Sequence, residues 1–291
     1  MKRLTGLMPA LFALFGLAMS GAALAQDATM SHMPPKVLSI TREYTKPGKN
    51  GTPHEKTESL FVQAMTHAKW PTHYIAVESL SGPSRALFLT GYDSFASWEK
   101  DVLASQKNTA LAAALDHANT ADGELLSEVD SGIFVFREDF SLRPEVDIAH
   151  TRYFEISKFQ VRQGHDKDWD AIIKLVTEAY KKIPDAHWAT YVSQYGNPDT
   201  TYIIFNPIKS ASEIDRNLLM GKEFEAAMGE DGMKKLLELI ASGIESSQTN
   251  LFAFNPRMSY PADEWVKADP DFWKPKPAAA KKAEEKPADS H

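Results

Sequence analysis

Alternation and helical periodicity divide this chain into two runs of elements with the same order. Residues 37–44 alternate, with Leu38 and Ile40 on one side and Ser39, Thr41 and Glu43 on the other, which predicts a strand. A turn-rich stretch with Pro47, Gly48 and Asn50-Gly51 follows. Over 57–70 the spacing of Leu60, Phe61, Ala64 and Ala68 predicts a helix with one apolar stripe, stopped by Pro71. Residues 73–80 and 85–92 read as strands around Ser81-Gly82-Pro83. Ser94 is a candidate N-cap for Ala-rich helical sequence running to about Ala118, and 132–138 closes the run as a strand.

The second run repeats that order. A strand is expected at 152–161, and Gly164 turns the chain into a helix striped by Trp169, Ile172, Ile173, Val176 and Tyr180. Pro184 ends it as Pro71 ends its counterpart. Strands follow at 187–195 and 200–206 around Gly196-Asn197-Pro198, and Ser210 opens helical sequence that Gly229 and Gly232 should kink. Residues 249–255 close the run. Two local echoes support a duplication: HYIAVESLSG at 73–82 returns as HWATYVSQYG at 187–196, and SGIFVFREDFS at 131–141 returns as TNLFAFNPRMS at 249–259.

Each run reads β-α-β-β-α-β, the ferredoxin-like unit. A four-stranded sheet with helices on one face leaves the other face bare, and two copies can cover each other. The expected fold is therefore α+β: two ferredoxin-like βαββαβ repeats packed through their sheets into a barrel-like, single-chain pseudo-dimer. The expected division is a signal peptide at 1–25, a polar leader at 26–35, repeat 1 at 36–142, a linker at 143–151, repeat 2 at 152–260 and a C-terminal extension at 261–291, disordered from about 274.

On this element order and repeat, over roughly 36–260, the chain resembles the dimeric α+β barrel superfamily. Its members include NIPSNAP-type proteins, antibiotic-biosynthesis-type and haem-degrading monooxygenases, chlorite dismutases and muconolactone isomerases. The resemblance implies a cavity able to hold a small molecule or haem. It places the chain in no member family and carries over no catalytic residue.

The N-terminus changes the expected compartment. Lys2 and Arg3 precede an apolar run over 7–24 that ends in Ala23-Leu24-Ala25, an A-x-A cleavage pattern, so the chain is expected to be secreted or periplasmic. Pro9, Gly16 and Gly21 interrupt the run, against a membrane anchor. No other run is long enough to span. The formal charge of −7 argues against nucleic acid and anionic membranes as partners. The absence of cysteine removes disulfides, thiolate nucleophiles and Cys-ligated zinc. The tail KPKPAAAKKAEEKPADSH at 274–291 is too polar to fold alone. The chain has no P-loop, no G-x-G-x-x-G after a strand and no G-x-S-x-G elbow.

Candidate ligand-binding residues come from the repeat. His73 and His187 match in position, each followed by an aromatic, Tyr74 or Trp188, and histidine can exchange protons or ligate near neutral pH. Glu43 and Glu155 lie on the first strand of each half, opposite the apolar residues, and Glu78 lies on the second strand. A carboxylate beside an aromatic wall has a raised pKa and can move protons. Arg42 and Lys158 also align. The commoner role for each is structural: a strand-start histidine, a solvated acid, a snorkelling base, a core aromatic. No H-E-x-x-H or close histidine pair predicts a metal site, and His54, His67, His117, His150 and His165 show no ligand spacing. One histidine suffices for haem, so haem stays open as a cofactor.

The leading expectation is binding of a small, partly apolar molecule in a cavity between or within the repeats. The alternatives are a cofactor-free or haem-dependent oxygenase or isomerase, and a structural or interaction module of the cell envelope tethered by its charged tail. Whether the protein is an enzyme stays open, as does its oligomeric state, a monomer being compatible with the repeat.

Overall fold

A computed structural model gives the structure of residues 32–197 and 200–274. The expected signal peptide, most of the polar leader and the tail beyond residue 274 lie outside the described residues.

The first unit runs β1 (Val37–Thr45), α1 (Thr52–Ala68), β2 (Tyr74–Ser79), β3 (Arg85–Tyr92), α2 (Phe95–Lys107), α3 (Thr109–Gly123) and β4 (Leu126–Phe136). The second runs β5 (Tyr153–Val161), α4 (Asp166–Tyr180), β6 (Ala189–Tyr195), β7 (Thr200–Ile208), α5 (Ala211–Gly243) and β8 (Ile244–Phe254). Short helices α6 (Asp263–Ala268) and α7 (Pro270–Trp273) follow. Local signals explain most boundaries. Pro53 sits in the first turn of α1, where its missing N–H costs nothing. Ser94 forms a capping box with Ser97 at the start of α2. Asn108 breaks the Ala-rich stretch into two helices and caps the second by accepting from the Leu111 N–H. Gly229, at φ 71°, kinks α5 as expected, whereas Gly232 stays helical.

All strands close into one antiparallel barrel, in the order β1-β3-β2-β8-β5-β7-β6-β4. Each unit contributes its four strands in the ferredoxin-like order, and the units join through two seams, β2 with β8 and β4 with β6. This is the architecture of the dimeric α+β barrels, with both halves in one chain. The helices lie outside.

Alternation assigns each side chain to the lumen or the helix side. Leu38, Ile40, Ile75, Val77, Leu87, Leu89, Phe134, Phe154, Ile156, Tyr191, Phe205, Phe252 and Phe254 fill the lumen as one core drawn from both units. At the far end the lumen turns basic. There Arg42 pairs with Asp130 and donates to Asn197 Oδ1 at 3.3 Å, and Arg85 donates to Asn250 Oδ1 at 2.8 Å while lying over the Phe252 ring. Lys158 shares this end; burial and the nearby Arg42 charge lower its pKa.

Segments flanking the repeats belong to the fold. Trp273 is buried in the lumen core and donates from Nε1 to the Ala149 carbonyl; Arg152 pairs with Asp269. At the other terminus Pro34 is buried and Tyr191 Oη donates to the Pro35 carbonyl. Pro35 packs so closely on Gly91 that a Cβ there would meet it at 2.7 Å. These apolar residues close a barrel end that alternation within the strands leaves open.

Phe134 is fully buried at the centre of the lumen core. Phe134→Ala should cost about 3–5 kcal/mol, read as a lowered urea midpoint in equilibrium unfolding.

Candidate functional site

Two places combine enclosure with polar groups, on opposite sides of the sheet. The first is a cavity of about 720 Å3 at the apolar end of the barrel. Its floor is lumen: Leu38, Ile75, Leu89, Phe154, Ala189, Tyr191 and Phe205. Its walls are Trp70, Pro71 and Thr72, where the chain leaves α1, with Trp265 of α6 and the segment His32–Pro35. Polar groups gather at one rim. Asp101 of α2 accepts from Thr72 Oγ1 at 2.6 Å and from Tyr92 Oη at 3.1 Å. Burial, then the Asp101 charge, holds the Tyr92 phenol well above its ordinary pKa, so it stays a donor. Asp93, Asp101 and Glu264 are the acids of the rim and Lys100 is its lysine.

The second place lies between the sheet and the helices of the first unit. Glu43 of β1 points there, away from the lumen. α1 presents His54 and Glu58, one turn apart, and α3 presents Asp122. His54 Nε2 lies 3.1 Å from Glu43 Oε2, 3.5 Å from Asp122 Oδ1 and 3.9 Å from Glu58 Oε1. Thr57 Oγ1 donates to Asp122 Oδ1 at 2.5 Å. All four residues are buried. Burial, and then the charges of Glu43 and Asp122, push the Glu58 carboxyl far above the ordinary range. Burial likewise raises Glu43. Burial opposes charge on His54, but the hydrogen bond to Glu43 and the Asp122 charge outweigh it and raise its pKa.

The residues singled out from the sequence divide between these places and the scaffold. His73 lines the cavity, stacked on Tyr260 with ring centroids 4.7 Å apart, and its Nδ1 is buried without a partner. Tyr74, next in β2, faces the helix side; its hydroxyl is buried without a partner and feels the charges of Glu58 and Glu43. Glu43 is in the buried cluster. Glu155 is half-buried on the helix side of the second unit, near Tyr180, and does not meet Glu43. Both His187 nitrogens are held by backbone carbonyls, of Asp185 at 2.8 Å and Pro207 at 3.0 Å. Trp188 donates to the Phe140 carbonyl and packs on Tyr180. Glu78 accepts from Asn255 Nδ2 at 2.6 Å.

Sequence reasoning missed His54, Glu58 and Asp122. The expected stripe of α1 is only half-buried outside Ala64, and its deepest residues include His54 and Glu58. The readable signal was their i, i+4 spacing, which puts both on one helix face. Asp122 arrives only through the packing of α3 on α1.

Among the described residues, the spaces between sheet and helices leave no room for haem. In the second unit, the space between sheet and helices is filled by Trp169, stacked on Tyr202 at 4.3 Å, with Ile172, Ile173 and Leu236. In the first unit the buried acidic cluster occupies it. The barrel-end cavity is lined by His32 and His73 with three acids and one lysine, so it offers imidazoles but few partners for two propionates. His187 has no free nitrogen, and His165 is bound to Asp168.

No protein-family model matches the chain, and no curated protein matches it. Among solved structures, a candidate monooxygenase from Fusobacterium nucleatum is similar at 10% identity, with 76% of this chain and 93% of that one covered and a TM-score of 0.48. An anthrone oxidase-like protein is similar at 14% identity, over 76% and 92% of the two chains, with a TM-score of 0.45. A variant of chlorite dismutase from Candidatus Nitrospira defluvii is similar at 10% identity, over 81% and 96%, with a TM-score of 0.47. At these values no activity transfers to this chain, and its architecture rests on the strand order.

A carboxyl whose pKa is raised by folding holds a proton that the unfolded chain releases. Its contribution is full below about pH 4.3 and is lost as pH rises toward the folded value. Glu58, Glu43 and His54 all carry this sign. In EDTA-containing buffer the protein should lose stability from pH 5 to pH 8, and Glu58→Gln should flatten that slope, as measured by urea midpoints across the range.

Proposed function

We propose that the protein binds a small, largely apolar molecule with a neutral or cationic polar end in the barrel-end cavity. The carrying observation is the cavity itself: about 720 Å3, aromatic and aliphatic in its depth, with acids at its rim and His73 on its wall. Ligand pockets commonly measure about 300–1,000 Å3 and combine an apolar lining with a few placed polar groups. The apolar part would enter the lumen against Phe154, Tyr191 and Phe205, and the polar end would meet Asp93, Asp101 and the Thr72–Tyr92 pair. An anionic end would face three acids and is disfavoured.

A second reading, a cofactor-free oxygenase or isomerase, is favoured by His73, an imidazole at the wall of an apolar cavity. Burial of its Nδ1 leaves it no proton relay on that side, so binding without chemistry is the stronger reading.

A thermal-shift screen should find stabilisation by aromatic amines or alcohols and none by the matching carboxylates. Ala189→Trp, which adds bulk at the cavity floor, should abolish the shift while keeping the circular dichroism of the wild type. Stabilisation that survives this substitution would move the site elsewhere.

The reading includes action outside the cytoplasm, on the strength of the basic start, apolar run and A-x-A pattern of residues 1–25. In a Gram-negative expression host, the protein from a periplasmic extract should begin at Gln26 by N-terminal sequencing.

A further inference from the structure

We propose that Glu43, His54, Glu58 and Asp122 bind one divalent first-row transition ion, with Mn2+ or Fe2+ the best matched, and that the ion ties α1 and α3 to β1. This inference is independent of the barrel-end cavity, which lies on the other side of the sheet.

Geometry comes first. One ligand atom from each residue can be chosen so that all four lie within 4.8 Å of one another. Ligands about 2.1 Å from an ion are separated by at most roughly 4.2 Å, so closure on an ion needs side-chain shifts of about half an ångström. The ligands come from three elements, and the pair on α1 has the i, i+4 spacing that sets two side chains on one face.

A polar atom points into the cluster without a partner. Glu58 is 2% exposed, and its Oε1 lies 3.9 Å from His54 Nε2 with no hydrogen bond. An unsatisfied buried carboxylate oxygen is costly and calls for a reason. The hydrogen bonds of the cluster, His54 with Glu43 and Thr57 with Asp122, do not reach it. Among the described residues, no lysine or arginine pairs with any of the four.

The second unit shows that an apolar filling was available. Glu43 is the seventh residue of a nine-residue strand, and Phe159 holds that place in β5. Where His54 and Glu58 descend from α1, Trp169 and Ile173 descend from α4 with the same spacing, and Trp169 packs on Phe159 at 5.4 Å. The same space is thus filled by aromatics in one unit and by three acids and an imidazole in the other. Replacing a buried polar group by a well-packed apolar one is usually neutral or stabilising. The polar set is explained by an occupant.

The donor set selects the ion. Three carboxylates and one imidazole, in a chain without cysteine, suit Mn2+ or Fe2+. Ca2+ prefers oxygen ligands throughout, and Mg2+ keeps its waters, which this buried site does not offer.

The test uses tag-free mature protein. Elemental analysis of the purified protein should find about one equivalent of a first-row transition ion, or, after EDTA dialysis, calorimetric titration with Mn2+ should give one site and a melting temperature raised by about 5 °C or more. Glu58→Gln and Asp122→Asn should each weaken binding by at least about 100-fold, whereas Glu78→Gln, on the same side of the sheet but hydrogen-bonded to Asn255, should not. Glu58→Gln keeps the shape of the side chain and removes its acid, and circular dichroism with a urea midpoint checks that the metal-free fold is retained, so that lost binding is not lost folding. No stoichiometric ion in the purified protein together with no heat or melting shift on adding Mn2+ or Fe2+ would overturn the proposal and leave a proton-sharing carboxylate cluster. Unchanged affinity in both substituted proteins would overturn it equally.

Discussion

Everything in this molecule depends on the mutual covering of two bare sheet faces. Neither four-stranded sheet can fold with one side against helices and the other, carrying Leu38, Ile40, Phe154, Ile156 and Phe254, against water. Joining β2 to β8 and β4 to β6 solves two problems together. It removes the four sheet edges, whose backbone groups would otherwise stay unpaired, and it buries both apolar faces in one lumen. The cost is a barrel with two open ends, and the ends are closed differently. One is filled by charged side chains, Arg42 with Asp130 and Arg85 with Asn250, whose stems lie along the wall. The other is covered by Trp265, Trp273 and the segment before β1, and the cover leaves a cavity.

The two units are equal in topology and unequal in chemistry. Strand order and antiparallel pairing repeat, yet the space between sheet and helices is an aromatic stack in one and a polar cluster in the other. Backbone architecture needs only the alternation of apolar positions and tolerates either filling. Choice of filling is where the halves are free to specialise: the first unit alone carries the buried cluster, whereas both units line the cavity.

The architecture was legible because it rests on features that a chain displays locally. Period-two alternation in β1 and β5, the Pro and Gly stops, and the two echoes give element order, and element order with a bare face implies pairing. What was not legible comes from contacts between distant segments. Glu43 read correctly as a residue opposite Leu38 and Ile40, but the sequence does not say that this face meets α1 and α3 rather than a lumen. His54 and Glu58 were hidden by the expectation that the inward face of a helix is apolar. His73 and His187 matched in the repeat and diverge in the fold, because the first unit's wall leaves a cavity beside one while backbone carbonyls occupy both nitrogens of the other. Trp273 read as part of an extension because nothing near it in sequence shows the barrel end it fills.

The two candidate sites sit back to back on one sheet and are built from shared elements. β1 supplies Leu38 to the cavity and Glu43 to the cluster; β2 turns His73 and Ile75 to one side and Tyr74 to the other. α1 joins them most directly, since its first turns carry His54 and Glu58 and its exit becomes the cavity wall at Trp70, Pro71 and Thr72. Lys69, held at φ 49°, is the left-handed residue on which that exit turns. The wall has anchors of its own: Trp70 packs on Ala64 and Leu111, its carbonyl accepts from Tyr260 Oη at 2.9 Å, and Thr72 Oγ1 donates to Asp101 at 2.6 Å. One helix thus serves both places, its first turns in the buried cluster and its exit in the cavity wall, and each end is fixed by its own contacts.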